Sequence, residues 1–291
     1  NFQFLCDKTP PIMVQELIGK SFIAGGREYA SGRNQIKITT FDNKAGVKEV
    51  YYSINNKDYV KYESPFYLSD VQGTLTLKAY AIDNVGNRTE SFEKAESFSV
   101  PYVDLSGPSL AYSFNGPVFK MRDTLFVCEK TTVLLKGSDN ESGFNRIEYS
   151  IDNTSPVVYS SPFSFKTEGK HRVDITGFDN VDNTSKKEFT VISDVTGPEI
   201  FVQFSVSPRI VKNAQGENVE VFPRHLIVFL SARDDIVGVD ALYYSINGLP
   251  TVKYSGLISN FTASGFYTIK IRAVDKLGNE TSREISFTIE K

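Results

Sequence analysis

Apolar and polar residues alternate with a period of two along most of the chain. Ile36 and Ile38 alternate with Gln35 and Lys37, and Leu75, Leu77, Ala79 and Ala81 share one face before Asp83. Tyr267, Ile269, Ile271 and Ala273 repeat that arrangement near the end of the chain. Val50, Tyr52 and Ile54 fall on one side of a strand and Tyr51 and Ser53 on the other. In the matching run Ile147, Tyr149 and Ile151 oppose Glu148 and Ser150, and the charge of Glu148 marks the wet face. No stretch sustains the helical period, so the pattern predicts an all-β chain. In the first third, strands are expected near 12–17, 34–41, 47–55, 58–62, 65–69, 74–82 and 88–100. Pro65, which a central ladder excludes, marks the step from one sheet to the other.

The same blocks recur three times. Asp7-Lys8-Thr9-Pro10-Pro11 returns as Asp104-Leu105-Ser106-Gly107-Pro108 and as Asp194-Val195-Thr196-Gly197-Pro198. A second Asp turn follows: Asp42 to Gly46, Asp139 to Gly143 and Asp234 to Gly238, the third after a longer early loop. Then come Tyr52-Ser53-Ile54-Asn55, Tyr149-Ser150-Ile151-Asp152 and Tyr244-Ser245-Ile246-Asn247. Tyr62-x-x-Pro65-Phe66 matches Tyr159-x-x-Pro162-Phe163, whereas the third copy keeps Tyr254 but has Leu257 and Ile258. Gly73, Gly169 and Gly265 each stand ten residues before the Asp of a last turn: Asp83 to Asn87, Asp179 to Asn183 and Asp275 to Asn279. The starting Asp residues lie 97 and 90 residues apart, the length of one β-sandwich. The expected division is 1–103, 104–193 and 194–291.

This series of motifs resembles the Ig-like repeats of leptospiral outer-membrane surface proteins, themselves similar to the C-terminal Ig-like domain of chitobiase-type glycosidases. The resemblance covers almost the whole chain. It implies tandem Ig-like/fibronectin-III-like sandwiches within a larger exported bacterial protein. Seven strands per repeat, which bring the chain in at one pole and out at the other, and short linkers followed by Pro108 and Pro198 predict that the three form an extended array. Asp182 departs from the pattern where the other copies have Gly86 and Gly278, and the third copy lacks the Pro-Phe pair.

Composition narrows the function. Net charge is −3, which gives no electrostatic reason to expect nucleic acid. No apolar run is long enough to span a bilayer. The chain starts at Asn1 without a leader and reads as a fragment or processed product. Cys6 and Cys128, a domain length apart in a linear string, are expected to be free and mostly buried. His171 and His225, the only histidines, fall in different repeats without a partner at metal-ligand spacing, so packing roles are expected. No nucleophile elbow, phosphate loop or zinc-protease motif occurs, and no enzymatic activity is expected.

Turns recruit Asp because its side chain caps the backbone two residues on. The sharper reading is calcium, a hard cation that takes several oxygen ligands. If strands alternate in direction, the three Asp turns of each repeat meet at one pole. That would place Asp104, Asp139 and Asp179, or Asp194, Asp234 and Asp275, at a junction with the preceding repeat, with Asp7, Asp42 and Asp83 at the first pole. No other cofactor is expected. Tyr51 and Tyr243, which should face outward, and Tyr59 on the next strand are candidates for stacking on sugars, although Trp is absent. The leading expectation is a non-catalytic spacer, adhesin stalk or envelope-complex arm. It would contact other domains of the same protein and a protein partner in the periplasm, at the cell surface or outside the cell. The alternatives are an accessory or carbohydrate-binding module of a secreted polysaccharide-active protein, and a ligand-binding module using the pole loops.

Overall fold

The computed structural model describes residues 5–89, 101–259 and 261–290. Their regular structure is entirely β, and no helix among them is long and apolar enough to cross a membrane. The strand expected at 88–100 falls largely outside the described residues.

The chain forms three tandem β-sandwiches, and among the described residues no sheet is shared between them. In the first unit, Gln35–Phe41 lies between Ile12–Ile18 and Phe66–Tyr67. The facing sheet sets Val47–Ile54 between Val60–Lys61 and Leu77–Asp83. Alternation then builds the core: Ile36, Ile38 and Leu68 from one sheet meet Val50, Ala79 and Ala81 from the other. Val133, Leu135, Ile147, Val173 and Ile175 repeat this in the second unit, and Val228, Leu230, Ile269 and Ile271 in the third.

Several motifs now have physical reasons. The residues after Tyr-Ser-Ile form two-residue hairpin turns in which both positions are left-handed: Asn55 and Asn56 (φ 51° and 58°), Asp152 and Asn153 (52° and 61°), Asn247 and Gly248 (48° and 77°). Asn, Asp and Gly tolerate that region, and its twist matches the flanking strands. Tyr62 and Tyr254 cross the core, and their hydroxyls accept the Ile38 and Leu230 amides, each at 3.0 Å. Pro65 stands where the chain leaves the ladder with Val47–Ile54 and joins Gln35–Phe41. The third unit makes the same crossing without Pro-Phe: Ile258, 2% exposed, bridges Val228 as Phe163 bridges Val133. Asp182, with φ 64°, takes the left-handed position that Gly86 and Gly278 fill elsewhere.

The expected strand list lacks one hairpin per unit. Ser21–Ala24 pairs with Arg27–Ser31, Val118–Met121 with Thr124–Val127, and Arg209–Lys212 with Asn218–Phe222. These strands are only four or five residues long and set apolar residues side by side, as in Phe22-Ile23, Val118-Phe119, Leu125-Phe126-Val127 and Ile210-Val211, so no period of two marks a dry face. The second strand of each hairpin runs parallel to the unit's last strand, Tyr102–Asp104, Thr184–Ser193 or Glu280–Ile289. A hairpin adds two strands, so strand parity, and with it the expected meeting of the Asp turns at one pole, is unchanged.

The surface is that of separate small units and not of one globule. The chain exposes 17796 Å², against about 12,400 Å² for a single globule of its mass. Cys6 is exposed, contrary to expectation, because it lies ahead of the first strand, while Cys128 is buried; both are unpaired.

Candidate functional site

At each N-terminal pole three turns bring three carboxylates together. Asp7, Asp42 and Asp83 form one group, Asp104, Asp139 and Asp179 a second, and Asp194, Asp234 and Asp275 a third. Within each group one carboxylate oxygen per residue lies within 4.8 Å of the others.

Much of this oxygen is occupied by the turns themselves. Asp139 Oδ1 accepts the amides of Glu141 and Gly143, and Asp179 Oδ1 those of Val181 and Asn183. Asp104 uses both oxygens, Oδ1 for Ser106 N and Oδ2 for Ser142 N, each at 3.0 Å. Asp7 likewise takes Thr9 N and Ala45 N. The third group differs. Asp194 Oδ1 accepts only a long contact from Thr196 N at 3.4 Å, and Asp194 Oδ2 is buried without a partner. The amide matching Ser142 is that of Val237, which turns instead to Asp234 Oδ1 at 2.9 Å. Asp234 Oδ1 thus receives three amides, from Ile236, Val237 and Gly238.

The electrostatics follow this pairing. Burial pushes the Asp194 carboxyl up to about 6, helped by the charges of Asp234 and Asp275. Burial, reinforced by Asp104, also raises Asp179 despite its bonds from Asn183. For Asp104, burial opposes ionisation but is outweighed by hydrogen bonds, and the pKa is lowered. Burial and neighbouring Asp104 raise Glu141. In the first unit the bonds from Asn87, Val85 and Gly86 outweigh burial and lower Asp83.

The second and third groups adjoin the preceding unit. Asp104 closes the strand that pairs with Arg27–Ser31 of the first unit, while its side chain caps turns of the second. Asp194 N donates to Val127 O of the second unit at 2.9 Å. The first junction is polar. Gln72 Nε2 donates to Glu141 at 2.7 Å, Lys20 pairs with Asp182 at 3.1 Å, and Arg33 donates to Val181 O at 2.8 Å. The second is apolar at its centre, where Phe119, Phe126, Cys128 and Ile192 pack on Ile236, Val237 and Leu277, and polar at its margin, where Lys130 donates to Gly278 O at 3.2 Å and Thr196 to Glu168 at 2.8 Å.

Tyr51 and Tyr59 meet on one face, but through Tyr80, which sequence reasoning missed. Tyr51 stacks on Tyr80 at 5.1 Å, Tyr59 meets it edge-on at 4.9 Å, and Arg88 covers the ring at 3.6 Å. The signal for Tyr80 was its outward parity between Ala79 and Ala81. Tyr243 lies in another unit beneath Arg272. His171 is 7% exposed; it stacks on Phe165 and pairs with Asp152 at 2.6 Å. His225 is exposed on the third unit. A concave sheet face on the second unit carries Arg172, which pairs with Asp174 and Glu188 at 2.8 and 2.6 Å.

No family model matches the chain, and no curated protein matches it. Among solved structures it is similar to a segment of a 1.5-MDa bacterial ice-binding adhesin. The identity there is 15%, the TM-score 0.36, and the match covers 98% of this chain and 99% of that one. It is also similar to a Ca2+-stabilised adhesin of an Antarctic bacterium, at 14% identity and TM-score 0.39, over 98% of this chain and 75% of that one. A third match is to the fibronectin(III)-like modules of Clostridium thermocellum CbhA, at 11% identity and TM-score 0.32, over 62% of this chain and 94% of that one.

Proposed function

We propose that this chain is a non-catalytic spacer and protein-interaction segment of a larger exported bacterial protein, acting in the periplasm, at the cell surface or outside the cell. In this reading 1–103, 104–193 and 194–291 are its three units. Its partners are the neighbouring domains of the same protein and a protein of the envelope or surface. The observation that carries the reading is that each junction is closed by residues from both units, with no free linker between them. Asp104 and Asp194 each belong to the backbone ladder of one unit and to the turns of the next. Such joints fix one sandwich on the end of another and convert three small units into reach. The sheet faces fit the same role, since their charges pair across strands, as in Lys61–Glu49, Arg172–Glu188 and Arg272–Glu280.

Small-angle scattering tests it. Three sandwiches on a line, each about 33 Å long, give a radius of gyration of about 30 Å, against about 19 Å for one globule of this length. A value near the lower figure defeats the spacer reading.

A second reading, an accessory module of a polysaccharide-active protein, is favoured by the Tyr51–Tyr80–Tyr59 cluster with Tyr59 42% exposed. Co-sedimentation with insoluble polysaccharide that is lost in Tyr59→Ala would support it.

A further inference from the structure

We propose that the Asp194–Asp234–Asp275 group of the third unit binds a calcium ion, and that the equivalent groups of the other units are closed by their own turns. The difference lies in one atom. In the first two units the leading Asp spends both oxygens on amides, Asp7 on Thr9 and Ala45, Asp104 on Ser106 and Ser142. In the third unit the middle turn has folded onto Asp234, and Asp194 Oδ2 is left buried with no donor in a residue of 0% exposure. A buried carboxylate oxygen with nothing to accept is costly unless a ligand completes it.

The surroundings specify the ligand. Among the described residues no Lys, Arg or His lies within ion-pair distance of Asp194, Asp234 or Asp275, so three acidic groups meet without a counter-charge. The nearby cation Arg233 is engaged by Asp235 at 2.6 Å. A polar recess lined by Glu168, Thr196, Glu199, Arg233, Asp234 and Asp235 adjoins the group at Asp234, and its four carboxylates outnumber its one guanidinium, which favours entry of a cation. The donors are all hard oxygens, which selects against zinc. Three carboxylate oxygens that lie within 4.8 Å of one another can share one ion. Their positions are set by turns, which suits the flexible coordination of calcium better than that of magnesium, which demands a near-ideal octahedron and keeps several waters. Three carboxylates completed by water make a modest site, with a dissociation constant on the order of 0.1–1 mM. The site stands on these atoms and does not depend on the spacer reading.

The test uses the full chain, freed of metal with chelator, at pH 7.4. Calorimetric titration with calcium chloride should show one binding event in that range, and 5 mM calcium should raise the melting temperature of the third unit by on the order of 5 °C. Asp194→Asn and Asp234→Asn keep an oxygen for the turn amides and should each weaken binding at least tenfold, while Asp42→Asn in the first unit should leave it unchanged. Absence of heat at 5 mM calcium overturns the proposal. So does binding that survives both third-unit variants, or an equal response to magnesium. If Asp194→Asn stabilises the metal-free chain while calcium has no effect on the wild type, a proton serves the orphan oxygen and the site is refuted.

Discussion

The side-chain amide of Asn183 reaches across the sequence to the backbone carbonyl of Asp104 and donates to it at 2.8 Å, while it also donates to the Asp179 carboxylate at 2.7 Å. The same clasp recurs twice: Asn87 holds Asp7 O at 3.2 Å and Asn279 holds Asp194 O at 2.9 Å. One amide thereby ties the entry of each unit to its last turn. This explains why the turn ends in Asn in all three copies.

Removing the clasp should cost most where it is driest. Asn183 is 6% exposed, whereas Asn87 and Asn279 are only partly buried. Asn183→Ala leaves a buried carbonyl and a carboxylate oxygen each short of a donor, so about 2–4 kcal/mol of stability in the second unit should be lost. Asn87→Ala should cost about half as much. Urea unfolding resolved by unit checks the order, and equal losses would contradict it.

A glycine near the same entry is fixed by approach, not by φ. A Cβ at Gly107 would stand 2.4 Å from the Thr184 carbonyl carbon, and one at Gly197 would stand 2.6 Å from that of Glu280. The contact is with backbone of the unit's last strand, which cannot move aside without opening its ladder. Gly107→Ala and Gly197→Ala should therefore each destabilise by about 1–3 kcal/mol, whereas Gly216→Ser, where a Cβ meets nothing within 4 Å, should cost less despite its φ of 81°. Thermal melts of the three variants decide.

The Asp152–His171 pair sets an acid limit. Burial opposes ionisation of Asp152, but the Arg172 amide and the His171 ring outweigh it and lower its pKa. The folded state thus releases this proton more readily than the unfolded chain. The stabilisation is complete above the ordinary Asp range and is lost as pH falls through the lowered value. Melting of the second unit should drop more steeply below about pH 4 in the wild type than in Asp152→Asn. Parallel curves would dispose of the idea.

Alternation made the sandwich strands legible, because each has one wet and one dry face; Glu148 opposite Ile147 is enough to orient its strand. The edge hairpins were illegible for the same reason. Ile23 is 70% exposed and Ile210 68%, so neither marks a core face. The meeting of Asp104, Asp139 and Asp179 followed from parity, which an inserted hairpin leaves intact. The orphan oxygen of Asp194 was beyond reach, since it depends on where one amide, that of Val237, chooses its acceptor. Tyr80 went unnoticed because cross-strand neighbours depend on register, and Tyr51 faces Tyr80 only once Val47–Ile54 is aligned with Leu77–Asp83.

The middle residue of the last turn provides the sharpest test of how the units are joined. Val85, Val181 and Leu277 occupy the same place in three nearly identical turns. Val181 and Leu277 are 2% and 1% exposed, while Val85 is 62% exposed. Turn geometry does not account for the difference, since Asp83, Asp179 and Asp275 each accept the amide of that middle residue. What differs is the neighbour. Leu277 packs with Phe126 and Cys128 of the second unit, and Arg33 of the first unit is bonded to the Val181 carbonyl. Leu277→Ala should therefore cost about 2–4 kcal/mol, because it empties space at the apolar junction. Val181→Ala should cost about 1–2 kcal/mol, and Val85→Ala less than about 0.5 kcal/mol. The loss in Leu277→Ala should appear as weaker coupling between the second and third units, whose melting transitions should lie further apart than in the wild type. Scattering should show a broader spread of inter-unit distances in the same variant. If Val85→Ala and Leu277→Ala lose the same stability, the turn holds these side chains by itself, and the junction contributes nothing to their burial.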